Sequence, residues 1–240
     1  MKILIVSGFL GAGKTTFIKR LARNVDQRFA ILENEYGAAG IDGARLGQNR
    51  QGTQKNVWEM TEQCICCIGK KDFAASVLTI ANVVDPEYLI VEPTGVGSLA
   101  RIIENLRQIE YERIQLLSPV TIVDVYSYRR YMAEYPELYQ DQIRSADTII
   151  VSKTEACQAE EKQRIQKFLQ EINSQAKIIT DYASTMTRED YQSLLLGSRY
   201  EKKVQDTQSG EKMPETFSFE NIRMEAPETL WCFQIGRAHV

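Results

Sequence analysis

Two short stretches of this sequence carry residue types whose spacing could do chemistry. The first, Gly8-Phe9-Leu10-Gly11-Ala12-Gly13-Lys14-Thr15, has the spacing of a phosphate cradle. In such a loop Gly8, Gly11, Ala12 and Gly13 let successive backbone N–H groups turn inward toward phosphate oxygens. The N-terminus of a following helix adds a favourable field for anions. Lys14 would neutralise the β and γ phosphates, the Thr15 hydroxyl would ligate Mg²⁺, and Thr16 would reach the α-phosphate. The second stretch, Cys64-Ile65-Cys66-Cys67, puts three thiols into four positions. Alternation in an extended loop turns Cys64 and Cys66 the same way, and a bend brings in Cys67. Three thiolates favour Zn²⁺ or Cu(I) over hard cations. A tetrahedral Zn²⁺ needs a fourth ligand, which could be water, a carboxylate such as Glu35, or a residue of another protein.

Other polar residues fall at the ends of apolar runs. Glu92 closes one such run and precedes Pro93-Thr94-Gly95. A carboxylate there can hold the Mg²⁺ shell or orient an attacking water, and Gly95 could offer its N–H to a γ-phosphate and move when that phosphate leaves. Asp42 is a further candidate carboxylate on the metal or water side. Ser152-Lys153-Thr154-Glu155 follows another apolar run. An acidic side chain at Glu155 can accept from guanine N1–H and the 2-amino group, donors that adenine lacks. The Lys153 stem can pack on the base plane, and Ser152 stands where guanine-specific loops usually have Asn.

These residues need elements to hold them. Apolar runs at Lys2–Ser7, Phe29–Glu33, Tyr88–Glu92, Val120–Asp124, Thr148–Ser152 and Lys177–Thr180 read as strands. Helical patterns at Lys14–Asn24, Lys71–Val83, Ser98–Arg107, Leu138–Ser145 and Glu160–Glu171 alternate with them. The expectation is an α/β fold, a mostly parallel sheet with helices on both faces. Tyr36–Lys55 reads as a mobile loop. Residues 1–196 form the expected nucleotide-binding domain, 197–215 a polar linker, and 216–234 the truncated start of a small α/β domain. Ile235–Val240 can be encoded by a run resembling a common sequencing adapter, so 235–240 is expected to be a non-native tail. His239, the only histidine, is therefore set aside as a ligand.

Composition narrows the class. Of the 240 residues, 43% are hydrophobic and 25% charged, as in an ordinary globular protein. A net charge of −3 argues against nucleic-acid or membrane partners. With no basic field around them, the tyrosines at 128, 131, 135 and 139, with Arg129 and Arg130, are read as a helix face or a partly exposed surface rather than a base-stacking surface. No signal peptide or membrane span is expected. The protein is expected to be cytoplasmic, where the five cysteines stay reduced. Cys157 and Cys232 stand alone and read as packing residues.

Taken together, the motifs resemble those of the CobW-type metallochaperone GTPases, relatives of HypB and UreG. The resemblance rests on Gly8–Thr16, Glu33-Asn34-Glu35-Tyr36-Gly37, Ile41-Asp42-Gly43, Cys64–Cys67, Val91-Glu92-Pro93-Thr94-Gly95 and Ala146–Glu155. It implies a P-loop NTPase fold, slow GTP hydrolysis with Mg²⁺, and Zn²⁺ or Co²⁺ bound at the Cys-x-Cys-Cys site for delivery to a metalloprotein client. By position it makes Asp42 the switch aspartate and Glu92 the Walker-B-type acid, and it leaves room for a nucleotide- or metal-dependent homodimer. Three positions depart from the pattern: Gln63 replaces a glycine, Ala38 an acidic residue, and Ser152-Lys153-Thr154-Glu155 the usual guanine motif. Competing readings are a metal sensor or store with incidental hydrolysis, a corrinoid-cofactor maturation factor, and a small-molecule kinase.

Overall fold

The computed structural model describes residues 1–27, 29–33, 57–61, 70–197 and 200–201. Its strands are β1 (Lys2–Gly8), β2 (Phe29–Glu33), β3 (Val57–Thr61), β4 (Tyr88–Glu92), β5 (Gln115–Leu116), β6 (Val120–Asp124), β7 (Thr148–Ser152) and β8 (Lys177–Ile179). They form one sheet in the order β3-β2-β4-β1-β6-β7-β8, and every pairing is parallel. β5 runs beside the start of β1, with Lys2 opposite Gln115, and β6 takes over beside its end. Parallel strands need crossovers. Those described are α1 (Lys14–Asn24), α2 (Lys70–Val83), α3 (Leu99–Arg107), α4 (Tyr128–Glu134), α5 (Pro136–Arg144) and α6 (Ala159–Ile172). The short α7 (Tyr182–Thr185) and then α8 (Arg188–Leu196) follow β8.

Both faces of the sheet are covered, which is why its strands read as unbroken apolar runs. Alternation sends Leu4, Val6, Ile31 and Ile90 to one face, where Phe17, Ile18 and Leu21 of α1 meet Tyr191 and Leu195 of α8. Ile3, Ile5, Leu32, Leu89 and Val91 point the other way, against Val77 and Ile80 of α2 and Ile102, Ile103 and Leu106 of α3. Toward β7, α4 to α6 close a third cluster around Val123, Ile149 and Val151. Removing such side chains from water at ~25 cal/mol per Å² makes these layers the main source of stability.

The described strands and helices follow the sequence expectation closely, with additions. β3, β5, α4, α7 and α8 have no counterpart among the expected elements. The helix expected at Leu138 begins at Pro136, a residue suited to the first turn because its missing N–H has no intrahelical role. Helix α8 starts on a capping box: the Thr187 hydroxyl accepts from Asp190 N, and Thr187 N donates to the Asp190 carboxylate. Tyr200, placed by composition in the linker, is only 3% exposed. Its N–H donates to Leu116 O at 2.8 Å, and Arg107 lies over its ring. Burial pushes its phenol up to about 12.

Candidate functional site

The phosphate-loop residues stand together where β1 gives way to α1. Gly8, Gly11 and Gly13 all have positive φ, at 141°, 70° and 99°. Gly8 is doubly constrained, because a Cβ there would lie 2.4 Å from Ile122 O. Ala12 N donates to Phe9 O, closing a turn inside the loop. Lys14 is buried, and its ammonium donates to Gly8 O at 3.0 Å and Phe9 O at 3.4 Å. The charge therefore sits inside the curl of the loop, where a polyphosphate would draw it. Thr16 is exposed on the first turn of α1.

Thr15 Oγ1 donates to Glu92 Oε1 at 2.9 Å. β1 and β4 are neighbours, so residues 77 apart in sequence become hydrogen-bonded. A hydroxyl and a carboxylate oxygen side by side are the hard donors that Mg²⁺ takes, so these residues fit that ion. Beyond Glu92 the chain turns over Thr94–Gly97, with Gly97 N donating to Thr94 O. A Cβ on Gly95 would lie 2.4 Å from Leu10 N, so this turn rests directly on the phosphate loop.

Sequence reasoning missed the supports of this corner. Phe9 packs against Tyr131, Tyr135 and Tyr139 with ring centroids 4.4, 5.7 and 5.3 Å away. The Tyr131 hydroxyl donates to Leu10 O at 3.0 Å. The tyrosine-rich segment is thus the outer wall of the phosphate loop. Burial, then the charge of Asp124, raises the Tyr139 phenol well above its ordinary value and keeps it neutral. From α5, Gln142 Nε2 donates to Gly95 O and Gly97 O, and Asp141 accepts from Ala100 N at the start of α3. One signal was available: in a helical period Gln142 shares a face with Tyr139, Ile143 and Ala146, an amide on an apolar stripe.

Ser152, Lys153 and Glu155 lie at the end of β7. Ser152 Oγ donates to Ala12 O at 2.6 Å, tying this loop to the phosphate loop across 140 residues of sequence. Lys153 adopts φ 60°, and its ammonium pairs with Asp124 at 2.7 Å. Asp124 also accepts from Tyr126 N and Ser127 Oγ. Thr154 is buried, whereas Glu155 is exposed. Asp181, after β8, braces the loop from behind: Lys162 pairs with it at 2.6 Å and the Thr154 hydroxyl bonds to it. Those two contacts, Lys162 first, hold its carboxyl below the ordinary aspartate value.

Glu35, Asp42, Cys64, Cys66 and Cys67 lie outside the described residues, as do the tail and Cys232. Backbone on either side of them is described. In register, Glu33 is opposite Glu92 on one side and Thr61 on the other. The strand ends that precede Glu35 and Cys64 are therefore level with Glu92, one and two strands away. Among the described residues no group of three His, Cys, Asp or Glu could hold a metal, and no helix is long and apolar enough to cross a membrane. Cys157 is half-buried at the edge of the third core cluster.

A parallel sheet, a glycine loop joining its central strand to a helix, and a hydroxyl–carboxylate pair at the loop's end define a P-loop NTPase. Within that class the chain belongs to the CobW/HypB/UreG family, whose nucleotide-binding domain matches residues 2–180. It is 30% identical over 178 residues to the zinc chaperone YeiR of Escherichia coli, covering 73% of this chain and 53% of that protein. It is 27% identical over 209 residues to the zinc chaperone CobW of Pseudomonas aeruginosa, covering 75% of this chain and 56% of that protein. The crystal structure of Zn(II)-bound YjiA GTPase from E. coli shares the fold, with TM-score 0.57 and 22% identity over 78% of this chain and 59% of that one. The chain spans about half the length of the curated relatives it matches.

Proposed function

We propose that this protein hydrolyses GTP and carries a soft divalent metal, zinc or cobalt, at Cys64, Cys66 and Cys67 for delivery to a metalloprotein client. Lys14 and the loop amides bind the polyphosphate. Thr15 and Glu92 hold Mg²⁺, which supplies charge neutralisation on the phosphates when bound. Glu92 and Asp42 orient the attacking water, and Gly95 reports the γ-phosphate through its N–H. Ser152 ties the base loop down, Lys153 flanks the base, and Glu155 accepts from guanine.

The observation that carries this reading is the register at the C-terminal ends of β3, β2 and β4. Cys64 lies three residues beyond Thr61, and three residues reach at most about 10 Å. Adjacent strands are ~4.8 Å apart and Glu92 ends the second strand from β3, so chain connectivity alone limits Cys64 to within roughly 20 Å of Glu92. In this reading metal at the thiolates and phosphate at Glu92 both bias Tyr36–Gln63, the segment that joins Glu35 to Cys64. The relatives named zinc chaperones and the zinc-bound fold neighbour support the metal class.

Coupling of this kind is reciprocal: if nucleotide changes metal affinity, metal changes nucleotide affinity by the same factor. The test is a zinc titration of the full chain with GDP or a non-hydrolysable GTP analogue bound, repeated with Cys64, Cys66 and Cys67 changed singly to Ser. The expected result is a difference of about fivefold or more between nucleotides, within the usual range of coupling energies, and a loss of affinity in each variant. Equal zinc affinity in the two nucleotide states would sink the mechanism. Tight binding without transfer to any client would leave a sensor or store instead.

A further inference from the structure

We propose that Gln142 is a positioning residue that links the γ-phosphate-facing turn to the α3–α5 layer. The proposal rests on the reading of Gly95 as the γ-phosphate contact and extends it to what holds Gly95. Four observations meet here. Gln142 is 1% exposed, and its carboxamide donates to Gly95 O at 3.1 Å and Gly97 O at 2.9 Å. Both partners are carbonyl oxygens, so the NH₂ end must face them and the amide orientation is fixed by chemistry. The two carbonyls belong to the Thr94–Gly97 turn, so both donors of one side chain grip one turn. The Gly95 Cα is so close to Leu10 N that a Cβ would fall 2.4 Å from it, so the turn moves only if it parts from the phosphate loop.

The other end of the device is also defined. The Gln142 backbone carbonyl accepts from Thr121 Oγ1 at 2.9 Å, anchoring α5 to β6. Its neighbour Asp141 accepts from Ala100 N at 3.3 Å and also bonds to the Ser98 hydroxyl and Leu99 N–H, gathering the first turn of α3. Adjacent residues of one helix thus hold the turn after Glu92 and the start of the helix that follows it. Any shift of Gly95 toward or away from a γ-phosphate strains the Gln142 bonds. That displacement passes to α5 and, through Asp141, to α3. Gln142 Oε1 is buried with no hydrogen-bond partner among the described residues.

The test uses the full chain with Mg²⁺, fluorescent GDP and a fluorescent non-hydrolysable GTP analogue. Gln142→Met keeps length and removes both donors. The expected result is at least a fivefold loss of GTP-analogue affinity with GDP affinity within twofold of the parent. A purely structural role would lower both affinities alike, and that outcome, or no change in either, overturns the proposal. Gly95→Ala separates the two readings. If it changes the GTP-analogue to GDP ratio and Gln142→Met does not, the Gln142 inference fails alone; if neither changes it, the Gly95 reading fails as well. Should Gln142→Met not fold, amide exchange on the unaltered chain decides. Residues 93–98 and 138–145 should change protection together between the GDP and GTP-analogue states, and a change confined to 93–98 overturns the link.

Discussion

At the phosphate loop the tightest contacts are backbone on backbone; at the corner proposed for the base, Ser152–Glu155, side chains do the holding. Gly8 faces Ile122 O and Gly95 faces Leu10 N, each with no room for a methyl group. The base loop is fastened by Ser152 to Ala12 O, Lys153 to Asp124, and Lys162 with Thr154 to Asp181. Backbone contact at van der Waals limits dictates residue type. A side-chain tie dictates only a donor or acceptor at a given reach. The two kinds of contact match the residues that make them: Gly8 and Gly95 stand against backbone, whereas Ser152 makes its tie with a hydroxyl.

The sharpest way to break this contrast is at its charged centre. Lys14→Ala removes the ammonium from inside the loop and should lower kcat/KM for GTP by ~10²–10³-fold, the scale of losing one preorganised donor. Steady-state phosphate release measures it. Next comes Gly8→Ala, which must displace Ile122 O and should destabilise the fold by about 1–3 kcal/mol in urea unfolding. At the base corner, Ser152→Ala should weaken GDP binding only about 2–10-fold, the worth of one hydrogen bond. Ser152→Asn, which keeps a donor, should stay within about threefold of the parent. Loss of stability in urea unfolding on Ser152→Asn as large as that of Gly8→Ala would erase the distinction.

The smallest effect is one of pH. Asp181 has its folded pKa lowered by Lys162 and Thr154, so its stabilisation is complete above the unfolded value near pH 4 and is lost as pH falls through the folded value. Asp181→Asn should therefore flatten the acid limb of a stability–pH curve below about pH 4 and leave the neutral region nearly parallel. Thermal melts between pH 3 and 7 read this directly.

Much of the fold was legible because parallel strands buried on both faces leave unbroken apolar runs, as in Ile3–Val6 and Ile149–Val151. β3 was not, since Val57-Trp58-Glu59-Met60-Thr61 mixes apolar and acidic residues in the manner of an edge strand. The phosphate loop and its partner Glu92 were legible because phosphate chemistry fixes their spacing or their place at a strand end. Gln142, Asp181 and Tyr131 act across 47, 27 and 121 residues of sequence, on Gly95, Thr154 and Leu10 respectively. No local motif records such contacts. The tyrosine segment shows the same limit: the lack of a basic field left a helix face or a partly exposed surface, and only the fold shows the tyrosines packed on Phe9.

The buried Tyr200 has a consequence for reach. Its backbone bond to Leu116 O lies beside the beginning of β1, while the phosphates would sit beyond its end. The seven residues of β1 span about 23 Å. Tyr200 and Glu201 are therefore held at the pole opposite the nucleotide, and later residues would spend about seven extended residues in regaining its level. Their local concentration at the phosphate mouth is governed by tether length and stiffness. Shortening the chain just after Tyr200 should therefore tune any contact they make with bound nucleotide without altering a single residue of the site.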